Sequence, residues 1–380
     1  MQALLQSINV STLRVGEPIP WNIYDTKGSL LLRKGFVIAS QNQLAVFANR
    51  EMFIEKKADD EAARRLAMAN VSVVRLLAEA RHDLDDLFKL IQRGTQPELT
   101  CDNTLHIAKT IEHAVSVNTD ICLAHIFFNK FDHDDYPLRH SLDTAILAIL
   151  IAQAMEHTEE ETSLVAAAAL TMNVGMLSLQ EQLLKRSNKL TESEKTRIRQ
   201  HPEASVALLR KAGVTDENWL SCVLCHHEQV DGSGYPAGLA GEQIPEGAQI
   251  VSLADRYSAC LSPRRYRPGM LATEVMRDLF INQAQSLDVM IAGVLVKILG
   301  VYPPGSFVRL QNGEIGVVVK RGKTGTTPLV ISIIGPRGGP LAYLVKRDTR
   351  EKCFSVRGGV RLEKADVPYN MQQIWGKQAE

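Results

Sequence analysis

The 380-residue chain is 45% hydrophobic and 23% charged, and its 43 Lys plus Arg balance 43 Asp plus Glu to a formal net charge of zero. That length allows two or three domains around a large core, and the neutral balance leaves no global field to draw the protein onto a nucleic acid polymer or an acidic membrane, so an anionic ligand must be held locally. The N-terminal residues lack an export-type pattern, no run of about eighteen apolar residues suggests membrane insertion, and six scattered cysteines read as reduced thiols; the expected location is cytoplasmic.

Between Val15 and Phe53 short apolar runs alternate with turn residues such as Asp25-Thr26-Lys27-Gly28, which predicts a small β-rich N-terminal module over residues 1–57. Residues 58–100 read as a helical connector, because 60–93 is rich in Ala, Leu, Glu and Arg with apolar side chains three and four apart. Over 101–300 helical patterns dominate, at 104–117, 140–155, 160–170, 192–201, 204–212 and 274–280. Thr191 ahead of Glu192-Ser193-Glu194 has the spacing of a capping box. Residues 301–380 turn to β structure: runs at 306–310 and 315–320 flank Asn312-Gly313, a hairpin signal, and 329–334 and 341–345 add strands. The expected fold is mainly α, an all-helical core domain with a small β-rich N-terminal module and a C-terminal β extension.

Neutral imidazoles ligate metals, and several on different helices converge on one ion even when distant in sequence. The candidates are His140, His201, His226 and His227, with Asp255 supplying an oxygen. A lone histidine is more often structural, but five such residues in motif context change that weighting. Cys222-Val223-Leu224-Cys225-His226 matches the haem-attachment pattern C-x-x-C-H. It lacks an export signal and reads as an apolar helix, so its thiols are taken as buried rather than as haem or zinc ligands. Gly232, Gly234 and Pro236 let the backbone turn tightly around Tyr235, whose ring offers a stacking surface. Arg264 and Arg267 could hold phosphates through paired N–H groups, although an Arg cluster alone is usually a solvated surface.

In order along the chain, His140-Ser141, His201-Pro202-Glu203, His226-His227-Glu228, Asp231-Gly232-Ser233-Gly234-Tyr235-Pro236, Ile244-Pro245, Ala254-Asp255 and Arg264-x-Tyr266-Arg267 resemble the motifs of HD-GYP domains, over roughly residues 100–300. The resemblance implies the all-helical fold of HD phosphohydrolases. In active members it implies hydrolysis of the bacterial second messenger cyclic di-GMP at a two- or three-metal centre, often of iron or manganese. It also exposes departures. Met172 stands at the signature histidine and Asn173 at the signature aspartate, so the metal-bridging carboxylate is replaced by a neutral amide. Ser258 replaces a second aspartate found in many members, Met176 replaces a lysine, and Tyr136 replaces the glutamate of three-metal members.

Apportioned as in the family, one metal position keeps His201, His226 and His227, and the other keeps only His140 and Asp255. Because clamping both the attacking and the leaving oxygen of a phosphodiester takes two ions, the expectation is one divalent metal (Fe, Mn or Zn) or none, and little or no phosphodiesterase activity. The reading is a degenerate module of cyclic di-GMP signalling that binds nucleotide through Gly232, Gly234, Tyr235, Pro236, Arg264 and Arg267, or engages a GGDEF-type diguanylate cyclase, its oligomeric state left open. The alternatives are a slow metal-dependent cyclic di-GMP phosphodiesterase with an incomplete metal centre, and a structural adaptor.

Overall fold

The structure, a computed structural model, describes residues 5–8, 13–26, 29–47, 52–55, 71–94, 97–128, 136–184, 188–263, 269–362, 366–367 and 369–380. The chain divides into two compact units, Met1–Val71 and Ser72–Glu380. In the first, strands β1 (Leu5–Ile8), β2 (Ile23–Tyr24) and β3 (Leu30–Leu32), the short helix α1 (Gln41–Ala45) and strand β4 (Met52–Glu55) build an antiparallel sheet of order β1-β4-β2-β3. Ile23, Ile38, Met52 and Ile54 are fully buried beneath it, which gives the predicted β-rich character its own small core.

The second unit opens with α2 (Val73–Arg93), capped by Ser72 and ended by Gly94 in the left-handed conformation, φ 64°. Leu77, Ala80, Leu84, Leu87 and Ile91 are its buried stripe, the three- and four-residue spacing read from the sequence; residues 58–70 and 95–96 of the expected connector lie outside the described part. Next comes α3 (Pro97–Phe128), interrupted at Asn118, whose φ of −161° is not helical. The Asn118 side-chain oxygen accepts from the backbone N–H of Asp120 at 3.1 Å and of Ile121 at 3.2 Å, so it caps a second helical segment where the sequence pattern stopped.

At the centre lies α4 (Tyr136–Ala154), buried without a break from Leu138 to Ala152, as a helix enclosed on all sides must be. Against it packs α5 (Glu159–Thr171), started by a Thr158–Glu161 capping box, whose Ala166, Ala167, Ala168 and Ala169 are fully buried and let the neighbouring helices approach. The stretch Glu159–Leu184 is long and apolar enough to cross a membrane, yet 78% of its most apolar window is buried inside the fold. A tight turn, Val174–Met176, leads to α6 (Leu177–Leu184) and then to α7 (Glu192–Lys211), which begins at the predicted Thr191–Glu194 capping box. The sequence suggested two helices divided at Pro202; the structure has one, with Pro202 inside it. Then follow α8 (Glu217–Cys225), α9 (Glu246–Leu261), α10 (Ala272–Arg277) with a π-type turn at Asp278–Asn282, and α11 (Val289–Leu299).

Strands β5 (Phe307–Leu310), β6 (Ile315–Lys320), β7 (Leu329–Ile334), β8 (Pro340–Asp348) and β9 (Val356–Gly359) form an antiparallel sheet of order β8-β7-β6-β5-β9, followed by α12 (Met371–Trp375). The Asn312-Gly313 hairpin is present, pairing Arg309 with Ile315; β9 and α12 were not foreseen. Phe128 of α3 meets Phe307 at 5.6 Å and Trp375 edge-on at 5.5 Å, so the sheet is seated on the helices by aromatic contacts.

One buried charge in the core has a measurable consequence. Asp143 on α4 is 3% exposed and its Oδ1 has no hydrogen-bond partner among the described residues; burial pushes its carboxyl up to about 7 despite the opposing Arg139. A carboxyl whose pKa is raised on folding contributes stability below its unfolded pKa and loses it as pH rises through the folded value. Denaturant titrations of Asp143→Asn should therefore lack a decline that the wild type shows between about pH 4 and 7, worth up to about 4 kcal/mol.

Candidate metal centre

Three imidazoles from two helices meet in one place. His201 on α7 and His226 at the end of α8 are buried, and one ligating nitrogen from each of His201, His226 and His227 lies within 4.8 Å of the others. Proline explains part of this arrangement. Pro202 has no N–H to give to the carbonyl four residues back, and His201 Nδ1 donates to that carbonyl, Ile198 O, at 2.5 Å. In the same way His226 Nδ1 donates at 2.6 Å to Val223 O, one of the carbonyls that a helix end leaves unpaired.

With both Nδ1 positions protonated, the Nε2 lone pairs of His201 and His226 face each other at 3.1 Å. That is close to the spacing of about 3.3 Å taken by two imidazole nitrogens on a tetrahedral cation. Burial, joined by His226, pushes the His201 ring down to about 4, and burial holds His226 and His227 down as well, so the set is neutral as metal ligands must be. The residues present fit one divalent cation with open coordination positions.

The second position is occupied differently. His140 Nε2 bonds Asp255 Oδ1 directly at 2.7 Å, while its Nδ1 faces Ser258 Oγ at 3.2 Å and its ring stacks on Tyr136 at 5.1 Å. Burial raises the Asp255 carboxyl, but the hydrogen bond and charge of His140 with the nearby His227 and His226 outweigh it and keep the group well below the usual carboxylate range. Met172, at the end of α5, is fully buried, and Asn173 lines the cavity without capping the turn that follows. Neither supplies a charge that could hold a second cation.

The turn carrying these two residues is clamped to α7. Ser205 Oγ donates to Met172 O at 2.7 Å and accepts from Gly175 N at 2.9 Å. A Cβ on Gly175 would lie 2.6 Å from Ser205 N and 2.8 Å from His201 O. Trp219 Nε1 donates to Thr171 Oγ1 at 2.9 Å from the other side.

Glu228 organises the glycine-rich loop, a role the sequence did not reveal. Its buried carboxylate accepts from the N–H groups of Ala237, Gly238 and Leu239 at 2.7, 3.1 and 3.0 Å. Gly232 has φ 77°, and a Cβ on Gly234 would meet the backbone of His227, Glu228 and Gln229 within 2.6 Å. The Tyr235–Pro236 bond is cis, and Tyr235 stacks on His227 at 4.7 Å with Arg199 5.8 Å from its ring centre. Thus Gly234 and Tyr235 adjoin His227, Gly232 and Pro236 belong to the same loop, and Arg264 and Arg267 lie outside the described residues.

His140, Asn173, His201, His227, Tyr235 and Asp255 line a cavity of about 960 Å³. Lys189 and Arg256 bring positive charge to its wall, joined by Lys195, which also pairs with Glu192 at 2.7 Å. Arg256 is itself tethered to Gln283 and to Ser286 Oγ, the latter at 3.0 Å. These cations could not be told from ordinary surface charge before the helices were assembled.

The HD domain family matches residues 130–291. The chain is 32% identical over 198 residues to the cyclic di-GMP phosphodiesterase PA4108 of Pseudomonas aeruginosa, covering 52% of this chain and 48% of that protein. It is 33% identical over 147 residues to the cyclic di-GMP phosphodiesterase response regulator RpfG of Xanthomonas campestris, covering 37% and 38%, and 30% identical over 171 residues to the 3'3'-cGAMP-specific phosphodiesterase 1 of Vibrio cholerae, covering 43% and 38%. The chain thus spans about half or less of the length of these curated relatives. A solved structure, an HDG"Y"P protein of Bdellovibrio bacteriovorus, is similar with a TM-score of 0.45 at 18% identity, covering 78% of this chain and 99% of that one.

Two substitutions report on the local architecture. Gly175→Ala forces the turn away from α7 and should cost about 1–3 kcal/mol in denaturant stability, together with a loss of metal affinity. Glu228→Gln keeps the shape of the side chain but loses the charge on an acceptor of three N–H groups, so amide exchange at Ala237, Gly238 and Leu239 should quicken and stability fall by about 1.5–3 kcal/mol.

Proposed function

We propose that this protein, which carries an HD domain of the HD-GYP kind, is a degenerate member working in cyclic di-GMP signalling as a nucleotide-binding or protein-interaction module, with little or no phosphodiesterase activity. One observation carries the reading. Neutral Met172 and Asn173 occupy the dyad positions, and His140 is spent on a direct bond to Asp255, while His201, His226 and His227 still converge. A cation bound there would supply Lewis acidity and a water of lowered pKa. The second ion needed to clamp both reacting oxygens has only His140 and Asp255 to hold it.

Recognition has more support than hydrolysis. The cavity volume of about 960 Å³ lies at the upper end for ligand sites, Tyr235 offers a stacking face, and Lys189, Lys195 and Arg256 suit an anionic ligand. Cyclic di-GMP is the ligand we assign, with Arg264 and Arg267 as further phosphate contacts and the Tyr235–Pro236 loop as the face for a GGDEF-type partner. The HD-GYP-like domain is placed at residues 101–300, flanked by the β-rich module 1–57, the connector 58–100 and the extension 301–380, in a cytoplasmic protein. The convergent three-histidine set favours one second reading, a slow phosphodiesterase using a single Fe, Mn or Zn ion.

The test is anaerobic elemental analysis with a cyclic di-GMP hydrolysis assay, counting the ion at the histidines as the difference between wild type and His226→Ala. At most one ion at that site, no turnover and retained binding of labelled nucleotide are expected. Two ions with turnover would overturn the proposal. The double variant Met172→His with Asn173→Asp should gain a second ion and measurable hydrolysis.

A further inference from the structure

Away from the cavity the described residues bring together a second set of ligating side chains. Glu79 and Asp83 are four residues apart on α2 and so lie on one face, and α3, packed along α2, presents His106 to them. One ligand atom from each of the three lies within 4.8 Å of the other two. The carboxylates farther along the same helix are compensated: Lys89 bonds Asp85 at 2.6 Å and Asp86 at 3.0 Å, and His82 approaches Asp86 at 3.9 Å. Glu79 and Asp83 have no ion pair with Lys or Arg among the described residues. Two carboxylates gathered with one imidazole, and with no Lys or Arg paired to them among the described residues, present the donor types of a cation site.

We propose that Glu79, Asp83 and His106 form a zinc-binding site that pins α2 to α3. One ring nitrogen with two carboxylate oxygens leaves room for water in a tetrahedral shell, a set that suits a borderline cation, whereas calcium and magnesium favour oxygen-only shells. The site is solvent-accessible, since Glu79 and His106 are exposed and Asp83 is half-buried. Helix α2 is the first element of the second unit, so zinc would stiffen the helix by which the chain enters it.

The site is separable from the histidine centre by experiment. Metal-stripped full-length protein is titrated calorimetrically with zinc sulfate, in wild type, H106A, E79Q/D83N, H226A and H226A/H106A. One equivalent should remain in H226A and vanish in H226A/H106A, and wild type should exceed both H106A and E79Q/D83N by one equivalent. The second comparison keeps the test valid if H226A folds poorly, because Glu79 and His106 are exposed and Asp83 is half-buried. Zinc should also raise the Tm of H226A but not that of H226A/H106A. Equal zinc uptake with and without His106, or uptake indifferent to E79Q/D83N, would overturn the proposal. Failure of the histidine centre would show instead as no difference between wild type and H226A.

Discussion

The site depends on where two buried imidazoles put their protons. Each of His201 and His226 gives its Nδ1–H to a helix carbonyl, Ile198 O and Val223 O, and each therefore turns a bare Nε2 toward the other. Pro202 creates one of these acceptors by failing to use it. The helix is not broken there because the side chain one residue earlier replaces the missing backbone donor, so the residue that marks a stop in sequence acts here as part of the ligand positioning. A ring buried with its tautomer fixed in this way cannot easily become charged, and the centre offers lone pairs rather than protons.

Around that fixed set the polar groups divide into two unlike halves. An asparagine and a methionine stand beside one carboxylate at the second position, and Asp255 bonds His140 directly at 2.7 Å. Ser258 then faces the remaining nitrogen of that ring. The result is a closed hydrogen-bonded cluster beside an open histidine set, within one cavity.

Much of this was legible in the sequence. The alternation of turn and apolar residues marked both β regions, the three- and four-residue spacing marked α2, and the Thr191–Glu194 box marked the start of α7. Boundaries failed where side chains act as backbone: Asn118 caps a segment inside α3, and His201 repairs the gap at Pro202. Glu228 was visible only as part of a motif, because its three partners stand nine to eleven residues away and are backbone groups with no side-chain signature. Lys189, Lys195 and Arg256 looked like solvated charge for a similar reason, since only the assembled helices turn them toward a common space.

Glu228 follows the histidine pair directly, and this adjacency couples the inside of the protein to its surface. His226 is anchored in the interior at Val223, and two residues later the same stretch of chain holds the loop from Ala237 to Leu239 by its carboxylate. Three consecutive residues, 226 to 228, therefore carry both the interior imidazoles and the anchor of an outer loop, so the path of that loop is set by the same stretch of chain that positions the rings.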